Sequence, residues 1–314
     1  MKEYKIDTVQ TKQLTSSNEI LSYISSNLIK PGYDLAFRGQ REESWELEPT
    51  ISRYLEKKEK EFNHDYKGSD DLRTIVEKRL LGTYRENIKR NQDIPEDRID
   101  KIDLWQLGQH HGLPTPLLDW TRSPYVGLFF AICEDAVIDN NIARDRALWV
   151  LNLTMLKEIN FNIDRNIWPN LKKKMSDSIL HTKVPKMEVV TNFDGDNRRI
   201  VYQQGLFTKH VHRSFQVWLG RIAREISHDL WSEPVLTKVI IPGDLKLRNE
   251  LMIILDKMNI NYRTLFPDRY GSAADAAENV VQRMSADRFK QLSASQSDYK
   301  QQQIKERKSN NRVQ

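Results

Sequence analysis

Five polar side chains that could take part in chemistry lie close together in WQLGQHHGLPTPLLDWTRSPYVGLFFA, residues 105–131. They are His110, His111, Asp119, Thr121 and Ser123. Histidine and aspartate can transfer protons, and the hydroxyls can hold a polar ligand. The apolar run that follows predicts a buried helix, which would hold these groups at the edge of a core. We therefore predict that the stretch forms one wall of a ligand-binding cleft, with His110 as a candidate catalytic group.

Arg38 is a second candidate, because it lies in the short apolar segment LAFRG. An arginine in this setting either pairs with a buried carboxylate or opens into a cleft, where its planar guanidinium binds phosphate or a similar anion. Asp119 is one carboxylate that could pair with it. The residues alone leave both roles open, with the structural pair slightly favoured.

Several common kinds of active site have no support in this sequence. It contains no glycine-rich phosphate loop, no CxxC and no HExxH, so nucleoside triphosphate hydrolysis and zinc-dependent hydrolysis lose their usual motifs. His210 and His212 would share a face on a strand, but no carboxylate partner is fixed by the spacing. Histidines hydrogen-bonded at the end of an element are the simpler interpretation, so we predict no metal site.

The positive charge is concentrated at one end of the chain. The net charge is +5, yet residues 285–314 hold seven basic and three acidic side chains, which leaves +1 for the other 284 residues. Nucleic acid is therefore not an expected partner of the body of the protein. Residues 285–314 are rich in Gln, Ser and Lys, a composition that predicts a flexible tail.

The expected location is the cytoplasm, without a membrane partner. No stretch reaches the ~18 apolar residues that a membrane helix needs, and the first residues lack the apolar core of a signal peptide. The single cysteine, Cys133, lies in an apolar run, so no internal disulfide forms and a buried thiol in a reducing compartment is expected.

Capping residues and hydrophobic spacing predict where these groups sit. Ser16 with Glu19 three residues later predicts the start of a helix, and YDLAFRGQ predicts a strand with Arg38 projecting near its end. LLDWT predicts a buried strand or turn, and Ser123 before Pro124 predicts the start of the apolar helix.

The remaining segments set the fold class. Buried strands are predicted at 147–153 and 235–242, a helix at NLKKKMSDSIL, and two more helices near the end of the chain. NRRIVYQQGLFTKH fits a helix, a loop or a strand. We predict an α+β fold, one mixed domain in which a small buried sheet is flanked by several helices. Its divisions would be an amphipathic N-terminal helix packing on the domain (1–29), the domain itself (30–284) and the tail (285–314).

Four blocks of this sequence resemble the FRG domain, a bacterial and phage-associated module named for Phe-Arg-Gly, here residues 37–39. The blocks are AFRGQREESWELEPTISR, LGQHHGLPTPLLDWTRSPYVGLFFA, RRIVYQQGLF and LFPD, and they extend from about residue 30 to 270. The resemblance assigns the main domain, 30–284, to this family. It implies no defined biochemical activity.

A weaker resemblance links the same blocks to ADP-ribosyltransferases. It implies that Arg38, with its neighbours Gly39 and Gln40, binds the diphosphate of NAD, and that Thr121 and Ser123 shape the nicotinamide pocket. It also implies that Gln203 or Gln204 stands at the reacting end, where those enzymes carry a glutamate. His110, His111 and Asp119 would complete the cleft.

Three hypotheses follow from these resemblances and from the residues. The first is an ADP-ribosyltransferase-like enzyme or NAD glycohydrolase, for which NAD is the substrate rather than a bound cofactor and a macromolecule of unknown identity is the acceptor. The second is a noncatalytic module that binds a nucleotide or a protein partner, in phage defence or counter-defence. The third is a buried polar network around Arg38 that serves the fold alone.

Overall fold

The computed structural model describes residues 9–62, 70–91, 95–99, 103–136, 138–139, 142–165, 186–191, 198–210, 212–225 and 233–283. Both the tail at 285–314 and the helix expected at NLKKKMSDSIL lie outside these residues. The chain divides into two compact units, Met1–Ile260 and Asn261–Gln314. Among the described helices, none combines the length and the hydropathy needed to cross a membrane.

The first unit contains all the described strands. They are β1 (Val9–Gln13), β2 (Leu35–Gln40), β3 (Leu117–Thr121), β4 (Ile138–Asp139), β5 (Ile142–Ala143), β6 (Arg146–Asn152), β7 (Glu188–Val190), β8 (Gly205–Lys209) and β9 (Leu236–Ile241). Seven of these described strands form one mixed sheet in the order β1-β9-β6-β2-β3-β8-β7, and β4 pairs with β5. β1 runs parallel to β9, and the other neighbours in the sheet are antiparallel.

The helices of the first unit surround this sheet. They are α1 (Ser17–Tyr23), α2 (Thr50–Phe62), α3 (Asp70–Asn91), α4 (Glu96–Ile99), α5 (Leu104–His110), α6 (Pro124–Ile132), α7 (Leu153–Arg165), α8 (Arg198–Tyr202), α9 (Phe215–Glu225) and α10 (Leu245–Lys257). A π-helical segment, Ile24–Leu28, continues α1. The α+β class predicted from the sequence is confirmed.

The pairing of β2 differs between its two neighbours in the sheet. β2 pairs with β6 along its whole length, from Leu35 opposite Asn152 to Gln40 opposite Ala147. With β3 it shares the single pair Phe37 and Thr121. Beyond that pair β2 and β3 are not paired, and the side chain of Arg38 donates a hydrogen bond to the backbone carbonyl of Asp119 on β3 at 2.8 Å.

The two faces of β2 are covered differently. Phe37 and Gly39 face α6: a Cβ added at Gly127 of that helix would lie 2.8 Å from the Cβ of Phe37. Because side chains alternate along a strand, Arg38 and Gln40 point to the other face. The hydrophobic core that includes Trp120 and Trp149 covers much of that second face, and it is completed by α7 and α9.

Most of the predicted elements of the first unit are present. The side chain of Ser16 accepts a hydrogen bond from the Glu19 amide at 3.3 Å at the start of α1, and Ser123 caps α6, as predicted. LLDWT forms a strand, and the ambiguous stretch around Gln203 divides into the short α8, a turn and β8. The edge strands β1 and β7 were not predicted from the sequence. Cys133, expected to be buried, is half-buried at the end of α6.

The second unit is described over residues 261–283. It holds α11 (Tyr262–Leu265) and α12 (Arg269–Arg283), which contact each other. Asn261 caps α11: its side chain accepts a hydrogen bond from the Thr264 amide at 3.0 Å, and the Thr264 hydroxyl accepts one from the Asn261 amide at 3.2 Å. The helix expected near the end of the described chain corresponds to α12.

Candidate ligand-binding site

A cavity of about 660 Å³ lies beside the end of β2, where it is lined by Arg38 and also by Gly39 and by Phe130 of α6, from the opposite face of the strand. Its charged lining consists of Arg38, Arg41, Arg53, Arg213, Glu46, Glu48 and Glu134. The uncharged lining consists of Gly39, Gln40, Ser44, Trp45 and Phe130. With four arginines against three glutamates the wall carries a net positive charge, and the indole of Trp45 adds an aromatic surface.

Arg38 retains hydrogen-bonding capacity at this wall. Its Nη1 donates to the backbone carbonyl of Asp119 at 2.8 Å and lies 3.5 Å from Oδ2 of the same residue. Its Nε is buried and has no hydrogen-bond partner among the described residues. Burial lowers the pKa of Arg38, Asp119 opposes that shift, and the positive charge of Arg53 adds to it. An additional negative charge at this wall would stabilise the guanidinium.

The other arginines of the wall are already engaged. Arg41 Nη1 lies 2.6 Å from Glu134 Oε2, and its guanidinium stands 5.4 Å from the centre of the Trp45 ring. Arg213 Nε donates to Glu48 Oε1 at 2.7 Å, a hydrogen bond that raises the pKa of Arg213.

Arg53 completes this side of the cavity. Its Nη1 donates to the backbone carbonyl of Glu48 at 2.7 Å, so the carbonyl and the carboxylate of Glu48 engage two different arginines. The carboxylate of Glu56 also lies 3.6 Å from Arg213. Arg38 is therefore the lining arginine for which a buried donor remains without a partner in the described part of the chain.

Asp119 is the carboxylate that pairs with Arg38. Its side chain is 61% exposed, and its Oδ1 accepts a hydrogen bond from Gln109 Nε2 at 2.6 Å. Gln109 in turn accepts a hydrogen bond from the Thr115 hydroxyl through Oε1. Asp119 lies beside the cavity rather than among its lining residues. The carboxylate that pairs with Arg38 is therefore exposed rather than buried, and Arg38 itself is partly exposed at the cavity.

Gly39 and Gln40 support the fold around the cavity. A Cβ at Gly39 would lie 2.1 Å from the backbone nitrogen of Ala131, so only glycine allows α6 to approach β2 this closely. Gln40 is buried: its Nε2 donates to the Glu46 carbonyl at 3.2 Å and its Oε1 accepts from the Trp149 indole at 2.7 Å. Both residues line the cavity, but the backbone of Gly39 is committed to packing against α6 and the side chain of Gln40 to internal hydrogen bonds.

Thr121 and Ser123 connect β3 to its neighbours. Thr121 Oγ1 donates to the Gln203 carbonyl at 2.6 Å and accepts from the Ser123 amide at 3.1 Å. Ser123 Oγ accepts from the Val126 amide at 3.3 Å, which caps α6. Neither hydroxyl lines the cavity. These two residues join three segments of the chain at the end of β3.

The remaining predicted site residues lie away from the cavity wall. His110 and His111 are exposed at the end of α5, with their rings 5.0 Å apart in a T-shaped arrangement. Gln203 and Gln204 form the turn before β8, where Gln204 has φ = 48°. The structure thus brings together Arg38, Gly39 and Gln40 at the cavity, and the other predicted residues do not line it.

Behind Arg38, His210 and Arg73 form a buried polar cluster. Arg73 Nη1 donates to the His212 carbonyl at 2.7 Å, and its Nε donates to Glu77 at 2.8 Å. His210 Nε2 lies 2.9 Å from the Thr208 hydroxyl. Burial, together with the charge of Arg73, lowers the pKa of His210 to about 3, so the imidazole is neutral at neutral pH. In the described ranges, no three His, Cys, Asp or Glu side chains stand close enough to hold a metal ion.

Most of the charged residues that line the cavity were not predicted from the sequence. Arg41, Trp45 and Glu48 follow β2 directly, and the density of charge in RGQREESWELEP was a signal that could have drawn attention to them. Arg213 comes from the segment before α9 and is brought to the cavity by the fold alone.

The comparison with protein families covers the part of the chain that forms most of this site. Residues 33–140 match the family model of the FRG domain. The region that matches the FRG domain includes β2, β3, α6 and the lining residues from Arg38 to Glu134, whereas Arg213 lies outside it. Neither a curated protein nor a solved structure matches this chain.

Proposed function

We propose that the cavity beside β2 binds a small ligand that carries a negatively charged group, with nucleotides as the class and NAD as the first candidate. The observation that carries this proposal is the Arg38 guanidinium, which is 21% exposed at the cavity wall and keeps a buried Nε without a partner among the described residues. A phosphate can accept two parallel hydrogen bonds from one guanidinium.

The size and the aromatic lining of the cavity support a nucleotide. Small-molecule sites typically enclose about 300–1,000 Å³, and this one encloses about 660 Å³. Trp45, which is 43% exposed, offers a ring on which a base could stack. Arg41 beside that ring adds positive charge at the same side of the cavity.

Calorimetric titration with NAD tests binding. We expect Arg38→Ala to weaken affinity by about tenfold or more, because a hydrogen bond to a charged group is lost. The matched control is Arg122→Ala: this arginine pairs with Asp34 at 2.6 Å and lies outside the cavity lining. The proposal would be contradicted if neither substitution changed the affinity for NAD. It would also be contradicted if the protein bound none of NAD, ADP-ribose and ADP.

Turnover of NAD is a second proposal, and one specific arrangement favours it. The three sequence blocks that resemble ADP-ribosyltransferases lie on adjacent strands: Phe37 of β2 pairs with Thr121 of β3, and Thr121 binds the carbonyl of Gln203 before β8. In this proposal the N-glycosidic bond of NAD breaks, nicotinamide leaves, and water or an acceptor nucleophile bonds to the ribose carbon and loses a proton.

The residues around those strands limit how this reaction could run. Gln203 and Gln204 carry no negative charge to stabilise an oxocarbenium ion. Glu188 on β7 is an acidic side chain beside β8, but its carboxylate lies 3.4 Å from Lys209 of that strand. Release of nicotinamide by the protein, and its loss in Arg38→Ala and Thr121→Ala, would support the enzyme. Binding of NAD without release, also in the presence of cell extract as a source of acceptor, would favour a noncatalytic module, with phage defence as one setting.

A further inference from the structure

Two glutamates of the cavity wall form ion pairs with arginines of the same wall. Glu134 lies 2.6 Å from Arg41, and Glu48 lies 2.7 Å from Arg213. Each carboxylate therefore neutralises an arginine that faces the cavity. Arg38 differs from Arg41 and Arg213, because its closest carboxylate, Asp119, stands at 3.5 Å.

We propose that Glu48 and Glu134 act as internal competitors for the anionic ligand, and that the cavity selects ligands with at least two acidic groups. This inference rests on the proposed function. One acidic group would bind Arg38 without displacing a carboxylate. A second group would exchange with Glu134 or Glu48 and form its own hydrogen bonds to Arg41 or Arg213.

The exposure of the two pairs indicates which one opens more easily. Both partners of the Arg41–Glu134 pair are largely exposed, at 43% and 60%. Solvated pairs of this kind contribute little to stability and exchange readily. Glu48 is only 13% exposed, and its backbone carbonyl also binds Arg53, so the Arg213–Glu48 pair is held more firmly. Removing the charge of Glu48 should therefore have the larger effect on ligand affinity.

The test compares three isosteric variants with pyrophosphate as the probe. We expect Glu134→Gln to raise the affinity by about threefold and Glu48→Gln by about fivefold to tenfold, since each removes the closest counter-charge of an arginine, although Glu56 stays 3.6 Å from Arg213. The matched control is Glu46→Gln, because Glu46 lines the same cavity and acts on Arg213 only through its charge, without a hydrogen bond to it. Because dissolved salt screens the charge of Glu46, the control variant should gain about twofold or less in pyrophosphate affinity at physiological salt.

A second probe, which carries a single phosphate group, distinguishes the binding of one acidic group from the binding of two. Orthophosphate can be held by Arg38 alone, so the gain in Glu48→Gln and Glu134→Gln should be clearly smaller for orthophosphate than for pyrophosphate. Equal gains for both probes, or a gain in Glu46→Gln as large as in the other two, would overturn the inference.

The outcomes also distinguish this inference from the proposed function. If the wild-type protein binds pyrophosphate and the variants bind it no more tightly, the glutamates do not compete with the ligand, and only the proposed anion-binding site is supported. If neither the wild type nor any variant binds the probes, both are wrong. Glu134 is exposed enough for its glutamine variant to fold, which keeps the test decisive even if Glu48→Gln proves unstable.

Discussion

The two faces of strand β2 perform different tasks with adjacent residues. On one face Gly39 contacts α6 so closely that a single added carbon would lie 2.1 Å from a backbone nitrogen and 2.3 Å from the Gly127 carbonyl oxygen. On the other face Arg38 reaches a cavity of about 660 Å³. The Phe-Arg-Gly sequence therefore combines a packing requirement with a charged group at a cavity.

The difference shows how a rigid support and a binding wall can be built from one strand. The helix packed against Gly39 holds the backbone of β2 in place, which limits the positions that the Arg38 guanidinium can take. The single β2–β3 pair at Phe37 and Thr121 leaves the space into which that guanidinium extends. Substitutions on the two faces should therefore have separable effects on stability and on binding.

Gly39→Ala should produce the largest loss of stability, because the new Cβ meets backbone atoms of α6 that cannot rotate away. We expect the free energy of unfolding, measured by urea denaturation, to fall by about 3 kcal/mol or more. Gly82→Ala is the control: no atom lies within 4 Å of the added Cβ in α3, so a gain of up to about 1 kcal/mol is expected. A loss of less than about 1 kcal/mol in Gly39→Ala would show that α6 moves away from the added Cβ, and that the fold does not require the close contact between β2 and α6.

His210, behind Arg38, should make stability depend on pH. Its pKa is about 3 in the folded protein and about 6.5 in the unfolded chain, so the unfolded state binds more protons between these values. The stability that the folded protein gains from keeping His210 neutral is complete above about pH 6.5. It is lost at about 1 kcal/mol per pH unit as the pH falls toward 3. The test is the free energy of unfolding between pH 4 and pH 7.

The variant that isolates this effect is His210→Asn. We expect a smaller change of stability with pH in this variant than in the wild type, whatever its stability at pH 7. His111→Asn, at an exposed side chain, serves as the control and should keep the wild-type slope. An unchanged slope in His210→Asn would mean that other groups cause the loss of stability in acid.

Arg38→Leu should have the smallest effect on stability. It removes the hydrogen bond to the Asp119 carbonyl, while Gln109 still holds the Asp119 carboxylate. We expect a loss of about 1 kcal/mol in chemical denaturation. Arg73→Leu provides the contrast, since that buried arginine binds the His212 carbonyl and Glu77, and the variant should lose about 3 kcal/mol or more. If Arg38→Leu destabilises the protein as much as Arg73→Leu, Arg38 belongs to a structural network rather than to a binding site.

Local patterns were sufficient to predict many elements. Ser123 before Pro124 determines the start of α6 by capping chemistry, which depends on neighbouring residues only. The alternation in LAFRG correctly separated Phe37 from Arg38 onto opposite faces of a strand. The edge strands β1 and β7 could not be predicted in this way, because β1 is mostly exposed and β7 has three residues, so neither shows a strong hydrophobic pattern.

The sequence by itself determined that Arg38 would stand near a strand end with Gly39 beside it, and that a capped apolar helix would follow Ser123. These features depend on backbone conformation and on side-chain alternation over a few residues. Only the tertiary structure decided that Arg213 joins Arg38 at one cavity and that Thr121 binds the carbonyl of Gln203 instead of facing that cavity. Such contacts join residues more than 80 positions apart, and they depend on the order and spacing of strands, which no local pattern specifies.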